Sequence, residues 1–233
     1  MVEEKNPTLV QVLAVFIIAN FAPQLAIFSA LAKPYFALDL VSGMVLEIAI
    51  MGWNVLLVLW VLSRWNRVSR PEMRSSLAWN IYGWRTVGWG AIGFITTLAV
   101  LLVVSLAFIP PFSYAKGGPV DLPFLLLFPL VSTHSLVVPL GEEVMFRGYV
   151  QTGIGRRYGK KEGLLVGALL FSLRHHPADL YWGAPLAQWV SRLLQLYIGA
   201  LVFGWIRQRS GSTISTLIMH LLIIIFSYVI AFV

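Results

Sequence analysis

Apolar residues arrive in this chain in long runs, several of them about 20 residues, the length a helix needs to cross the hydrocarbon of a bilayer. Seven such segments are read: Leu9 to Leu31, Val41 to Leu62, Val87 to Ile109, Pro123 to Tyr149, Leu164 to His176, Leu186 to Arg207 and Thr213 to Val233. An open-ended segment in lipid must satisfy its own backbone, which a helix does and a lone strand does not. The pattern therefore predicts an all-α, polytopic transmembrane helical bundle. The fifth segment is short, because Pro177 disfavours helix at His176 and cannot donate to the carbonyl of Leu173. It is expected to stop inside the membrane, or to resume after a break near Pro177. No repeat, low-complexity tract or long linker interrupts the series, so residues 1–233 read as a single domain.

Composition sharpens this picture. The 233 residues are 58% hydrophobic and 12% charged, more apolar surface than one soluble core of that length hides. There is no cysteine, which excludes disulfides, thiolate zinc sites and a cysteine nucleophile. Any catalysis must use oxygen or imidazole. The net charge of +7 lies between apolar runs and forms no repeating basic face, so it reads as membrane-surface electrostatics rather than nucleic-acid binding.

The charge also orients the chain. With the N-terminus in the cytoplasm, thirteen basic residues face inward: Lys5, Arg64, Arg67, Arg70, Arg74, Arg85, Arg147, Arg156, Arg157, Lys160, Lys161, Arg207 and Arg209. Three face outward, Lys33, Lys116 and Arg174, and Arg192 lies within the sixth segment. The positive-inside rule predicts N-in and C-out. Ala30-Leu31-Ala32 fits a small-x-small cleavage pattern, but the acidic Glu3 and Glu4 and the length of the first segment argue for a retained span. The nine tryptophans read as interfacial anchors.

Ionisable groups inside spans are costly and face a protein or water-filled interior, which makes them the candidates for chemistry. The densest group is Glu142-Glu143-Val144-Met145-Phe146-Arg147-Gly148, at the cytoplasmic end of the fourth segment. Glu143 and Arg147 are four apart with the acid N-terminal, the favourable order for an ion pair. Glu142 points about 100° away around the axis and is left for another task. A second group is Phe171-Ser172-Leu173-Arg174-His175-His176, where Gly163, Gly167, Phe171 and His175 recur at four-residue steps and the glycines admit a close neighbouring helix. The third is His220, eight residues into the last segment. Glu142, His175 and His220 thus stand on separate helices at depths that can converge, within the cytoplasmic leaflet of the N-in arrangement.

These residues resemble the motifs of the CAAX-prenyl-protease-like (CPBP, or Abi) intramembrane endopeptidases. Glu142, Glu143 and Arg147 match EExxxR, and Phe171 with His175 matches FxxxH. His220 matches the first half of a third motif, a histidine followed four residues later by asparagine; here that position is Ile224. The Gly199 to Ser212 stretch is similar to the family as well, and the likeness covers residues 123–233, the motif-bearing part. By this resemblance Glu142 would activate water assisted by His175, His220 would stabilise the oxyanion, and the substrate would be a peptide or protein tethered to the membrane. A buried carboxylate beside imidazole can take a water proton and return it to a leaving amine. Ile224 removes one expected oxyanion donor, and Ser227, about 10 Å further along the axis, is too far to replace it.

The same residues admit other assignments. Glu143 and Arg147 suit a structural pair, His134 suits an inter-helix hydrogen bond, and His176 reads as a neighbour of the site. Glu47 and Arg192, each about six residues into a span from the outer side, suit an intramembrane pair, with Arg192 snorkelling outward as the equal alternative. Gly153 to Lys161 superficially resembles a phosphate loop but lacks the preceding strand and the terminal Lys-Ser/Thr pair. No HExxH, GxGD or GxSx motif is present. Two histidines plus a carboxylate are a recognised zinc set, so a metal on Glu142, His175 and His220 is the alternative to the preferred metal-free activation. The competing functions are a catalytically silent family-fold scaffold or immunity protein, kept open by Ile224, and a proton-coupled transporter, against which no internal repeat is seen.

Overall fold

The computed structural model of the chain describes residues 6–31, 38–107, 124–175 and 185–232, and among these all regular structure is helical. Helix α1 covers Leu9–Asn20 and α2 Ala22–Leu31, so the first expected segment is helical but broken at Phe21. The break has a local cause, since Pro23 has no N–H for the carbonyl of Ala19. With its amide nitrogen turned toward the carbonyls, Asn54 donates to Ala19 at 2.9 Å and supplies the missing bond. Helix α3 (Leu40–Trp60) is capped by Asp39, whose side chain accepts from the Ser42 N–H at 3.0 Å, and it continues as a π turn over Val61–Trp65. That same hydrogen bond holds the exposed Asp39 carboxyl below its usual range. Next come the short α4 (Arg70–Ser76), with a Ser69–Glu72 capping box, and α5 (Trp84–Ala107).

Helix α6 (Phe124–Glu142) runs without interruption into a π segment, Glu143–Gln151, and α7 (Thr152–Arg157). The expected fourth segment ended at Tyr149; the helical run extends to Arg157. Glu142 consequently lies near the middle of this run rather than at its end. Helix α8 spans Lys160–Arg174, about 22 Å at 1.5 Å per residue, short of the roughly 30 Å of a hydrocarbon core. It stops before Pro177, as expected, although His176 and Pro177 lie outside the described residues, as do Lys33 and Lys116. Helices α9 (Leu186–Ser210) and α10 (Thr213–Phe232) complete the order.

Among the described residues, four helical stretches are long and apolar enough to cross a membrane: Leu9–Ala30, Val41–Trp65, Trp84–Val104 and Leu186–Ser210. Thr213–Ser227 is a shorter apolar helix. Polarity is distributed as lipid requires. Leu25, Leu56, Ile95, Val103 and Leu106 are largely exposed, while Glu142, Glu143, Arg147 and Arg174 are buried. Trp60, Trp65 and Trp84 are exposed at helix ends, as anchors are, but Trp53 lies inside α3 and Trp89 packs edge-on against Trp205.

The bundle pairs α3 with α6, α5 with α10, and α9 with both α8 and α5, and the π segment sits among them. All nine of its residues are buried. Phe146 meets Phe171 of α8 edge-to-face at 5.3 Å and Phe16 of α1 at 6.3 Å, tying three helices to one core. Close backbone approach makes this crowding feasible. A Cβ on Gly141 would lie 2.7 Å from Met51 Cβ, and one on Gly163 would lie 2.4 Å from the carbonyl oxygen of Gln151. Small residues at these two crossings let α6 touch α3, and α8 touch the π segment, as the spacing of Gly163 and Gly167 predicts. The start of α10 is pinned equally firmly. Thr213 donates its N–H to Ala78 at 2.9 Å and its hydroxyl to Leu77 at 2.7 Å, and Ser212 donates to Asn80, which sets the depth of His220.

Candidate active site

Glu142 closes α6 and Glu143 opens the π segment, and the change of helical pitch falls between them. π segments need an extra residue per turn and concentrate at functional sites. The adjacent carboxylates diverge as expected. Glu143 is fully buried and faces Arg147, with Nη1 3.6 Å from Oε1, and accepts from His220 Nδ1 at 3.0 Å. Arg147 lies between two rings, its Cζ 4.4 Å from the centroid of Phe171 and 4.7 Å from that of Phe203. Its Nη1 and Nη2 have no direct hydrogen-bond partner among the described residues, so the stacked rings and the Glu143 charge are its compensation.

Glu142 is 3% exposed and collects the other groups. His175 Nε2 stands 3.8 Å from Oε1 and His220 Nε2 stands 3.7 Å from Oε2. Their tautomers follow from their partners. His175 Nδ1 lies 2.9 Å from the Phe171 carbonyl, and His220 Nδ1 lies on a carboxylate, so in both neutral rings Nδ1 carries the hydrogen. A neutral ring then presents the Nε2 lone pair to the Glu142 carboxylate, and a protonated ring presents an N–H. Two acceptors under 4 Å apart are joined best by a donor between them, and one water with hydrogen bonds of about 2.8 Å spans either gap.

Two further side chains complete the cluster. Arg174 Nη1 donates to Glu142 Oε1, and its Nη2 is 3.6 Å from Glu47 Oε1 on α3. Glu47 Oε2 is in turn 3.0 Å from His134 Nε2 on α6. These contacts correct two expectations. Arg174 is buried and paired, not an outer loop charge, and Glu47 is engaged by Arg174 and His134 instead of Arg192. Arg147 is buried as well, so one residue leaves each side of the charge comparison and the bias becomes twelve to two. His134 makes the inter-helix hydrogen bond expected of it. Arg174 was legible as an arginine next to a candidate histidine; its direction was not.

Among the described residues no group of three or more His, Asp and Glu side chains is arranged to hold a metal ion. Position 224, one turn beyond His220, is the partly buried Ile224, and Ser227 donates to the carbonyl of Ile223 at 2.8 Å. The stretch from Gly153 to Lys161 consists of two helix ends around Tyr158 and Gly159.

A buried carboxylate flanked by two oriented imidazoles within a helical bundle is a constellation able to accept and pass on protons. Residues 122–226 match the model of the family described as Rce1-like, type II CAAX prenyl endopeptidase Rce1-like. The match contains every residue of the cluster except Glu47. No curated protein and no solved structure matches the chain.

Proposed function

We propose that the chain is an intramembrane endopeptidase that hydrolyses peptide bonds of membrane-tethered peptides or proteins. The single observation that carries this reading is the pair of imidazole Nε2 atoms that stand 3.7 and 3.8 Å from the Glu142 carboxylate. In the proposed reaction, water bound between Glu142 and His175 gives a proton to Glu142, and its oxygen attacks the carbonyl carbon. Glu142 then returns the proton to the leaving nitrogen as the C–N bond breaks. His220, oriented by Glu143, donates to the developing oxyanion through Nε2 when its ring is protonated. This route needs no metal, and the Arg174 guanidinium already occupies Glu142 Oε1, an oxygen a metal would use.

The same reading takes seven membrane segments with the N-terminus in the cytoplasm, supported by the twelve-to-two bias of loop charge. It takes the active site to lie in the cytoplasmic leaflet, with bilayer as its solvent and a lipid-anchored chain as its partner. Because the family's description names CAAX prenyl endopeptidases, the first probe is a farnesylated, internally quenched CAAX peptide beside its unprenylated counterpart, with the purified protein in proteoliposomes. Wild-type cleavage that is absent with Glu142→Gln and unchanged by chelators supports the proposal. Equal cleavage by Glu142→Gln would end it. The second reading, a catalytically silent scaffold, is favoured by the aliphatic Ile224, and it predicts no cleavage of either peptide.

A further inference from the structure

Arg174 grips two carboxylates from two different helices. Its Nη1 donates to Glu142 at the end of α6, and its Nη2 lies 3.6 Å from both Glu47 Oε1 and Met51 Sδ on α3. The second carboxylate is itself anchored, because Glu47 Oε2 is 3.0 Å from His134 Nε2. A planar fork held at both ends has little freedom to swing away. Arg174 is 7% exposed and so works where charge interactions are strong.

The donors around Glu142 differ in kind. His175 and His220 have each committed Nδ1–H elsewhere, so their Nε2 atoms donate only while the ring carries a second proton. Ile224, a turn beyond His220, has no side-chain donor. Arg174 is the permanent N–H donor touching the carboxylate. When water gives its proton to Glu142 and its oxygen bonds to the carbonyl carbon, the C=O pair moves onto oxygen. One negative charge thereby leaves Glu142 and appears on the oxyanion, and a cation fixed at Glu142 acts on the charge at both positions when the oxyanion forms close by.

We propose that Arg174, held from behind by Glu47 and His134, is the counter-charge of this reaction, keeping Glu142 a carboxylate beforehand and stabilising the oxyanion afterwards. This rests on the endopeptidase reading. Arg174 touches the group that takes the proton and is a catalytic residue, whereas Glu47 and His134 act through it and are positioning residues. Helix α3, outside the family-matched segment, thereby becomes part of the site.

The test uses the full-length protein in proteoliposomes with the farnesylated quenched peptide. Arg174→Gln should lower kcat by about 10² to 10³ with KM nearly unchanged, and Arg174→Lys, which keeps the charge but not the fork, should fall between. Glu47→Gln should lower kcat by about 10-fold, and adding it to Arg174→Lys should cost little more, because both act on one guanidinium. A second measurement needs no turnover: dicyclohexylcarbodiimide attacks carboxylic acids in apolar sites, so Glu142 should be modified slowly in wild type and faster in Arg174→Gln, read by mass spectrometry. Wild-type kcat in Arg174→Gln, or equal modification of Glu142 in the two proteins, overturns the proposal and leaves the endopeptidase reading standing. Should wild type cut nothing, or Glu142→Gln cut as wild type does, that reading fails and the proposal falls with it.

Discussion

Glu143 holds His220 in one orientation: its Oε1 accepts from Nδ1 at 3.0 Å across 77 residues of sequence, which turns Nε2 toward Glu142. Glu143 is therefore more than the partner of Arg147. Glu143→Gln removes the charge that both Arg147 and His220 face, and a buried pair broken on one side costs about 3 kcal/mol or more. The tautomer of His220 is released as well, so kcat should fall by roughly 10- to 100-fold. Thermal unfolding in detergent, followed by kcat per folded molecule, separates the two losses.

Glu142→Gln should behave differently. The amide oxygen still accepts from Arg174, whose charge Glu47 continues to balance, so the folded protein should persist in the membrane. The base is gone, and cleavage should be undetectable. Gel filtration of the purified variant beside a peptide-cleavage assay checks both halves.

Gly141 sits where α6 presses against α3. A Cβ there would meet Met51 Cβ at 2.7 Å and its carbonyl oxygen at 2.9 Å, both beyond tolerance for backbone neighbours. Gly141→Ala should destabilise by about 1–3 kcal/mol, and it should move Glu142 relative to Glu47. Activity should therefore drop more than the lost folded fraction explains, as active-site concentration measured against total protein will reveal.

Ile224→Asn places an amide donor one turn beyond His220. If that side chain reaches the oxyanion, kcat should rise by about 10-fold or more while KM stays near its starting value. An unchanged kcat would mean that the existing donors already suffice.

The chain contains no cysteine, so single cysteines report topology cleanly. Cysteines at Arg70 and Lys161 should react with a membrane-impermeant maleimide only from the cytoplasmic side, and those beside Lys33 or Lys116 only from outside. The reverse pattern would invert the proposed orientation.

What the sequence determined by itself is what short-range physics decides. Apolar run length marked the helical segments, and the i, i+4 spacing of Glu143 and Arg147 and the four-residue steps of Gly163 and Gly167 predicted contacts that the structure contains. The motif residues Glu142, His175 and His220 were also legible one by one, because ionisable groups in apolar runs stand out. Tertiary structure decided the rest. Nothing local to Arg174 says that it turns inward to Glu142, nor does anything local to Glu47 say that it takes Arg174 and His134 instead of Arg192. Those choices depend on how closely α3 approaches α6, which Gly141 permits, and on the pitch change at Glu143, which sets where the adjacent carboxylates point. A buried charge takes whichever counter-charge the packing brings within reach, and its cost without one makes that pairing a property of the whole bundle.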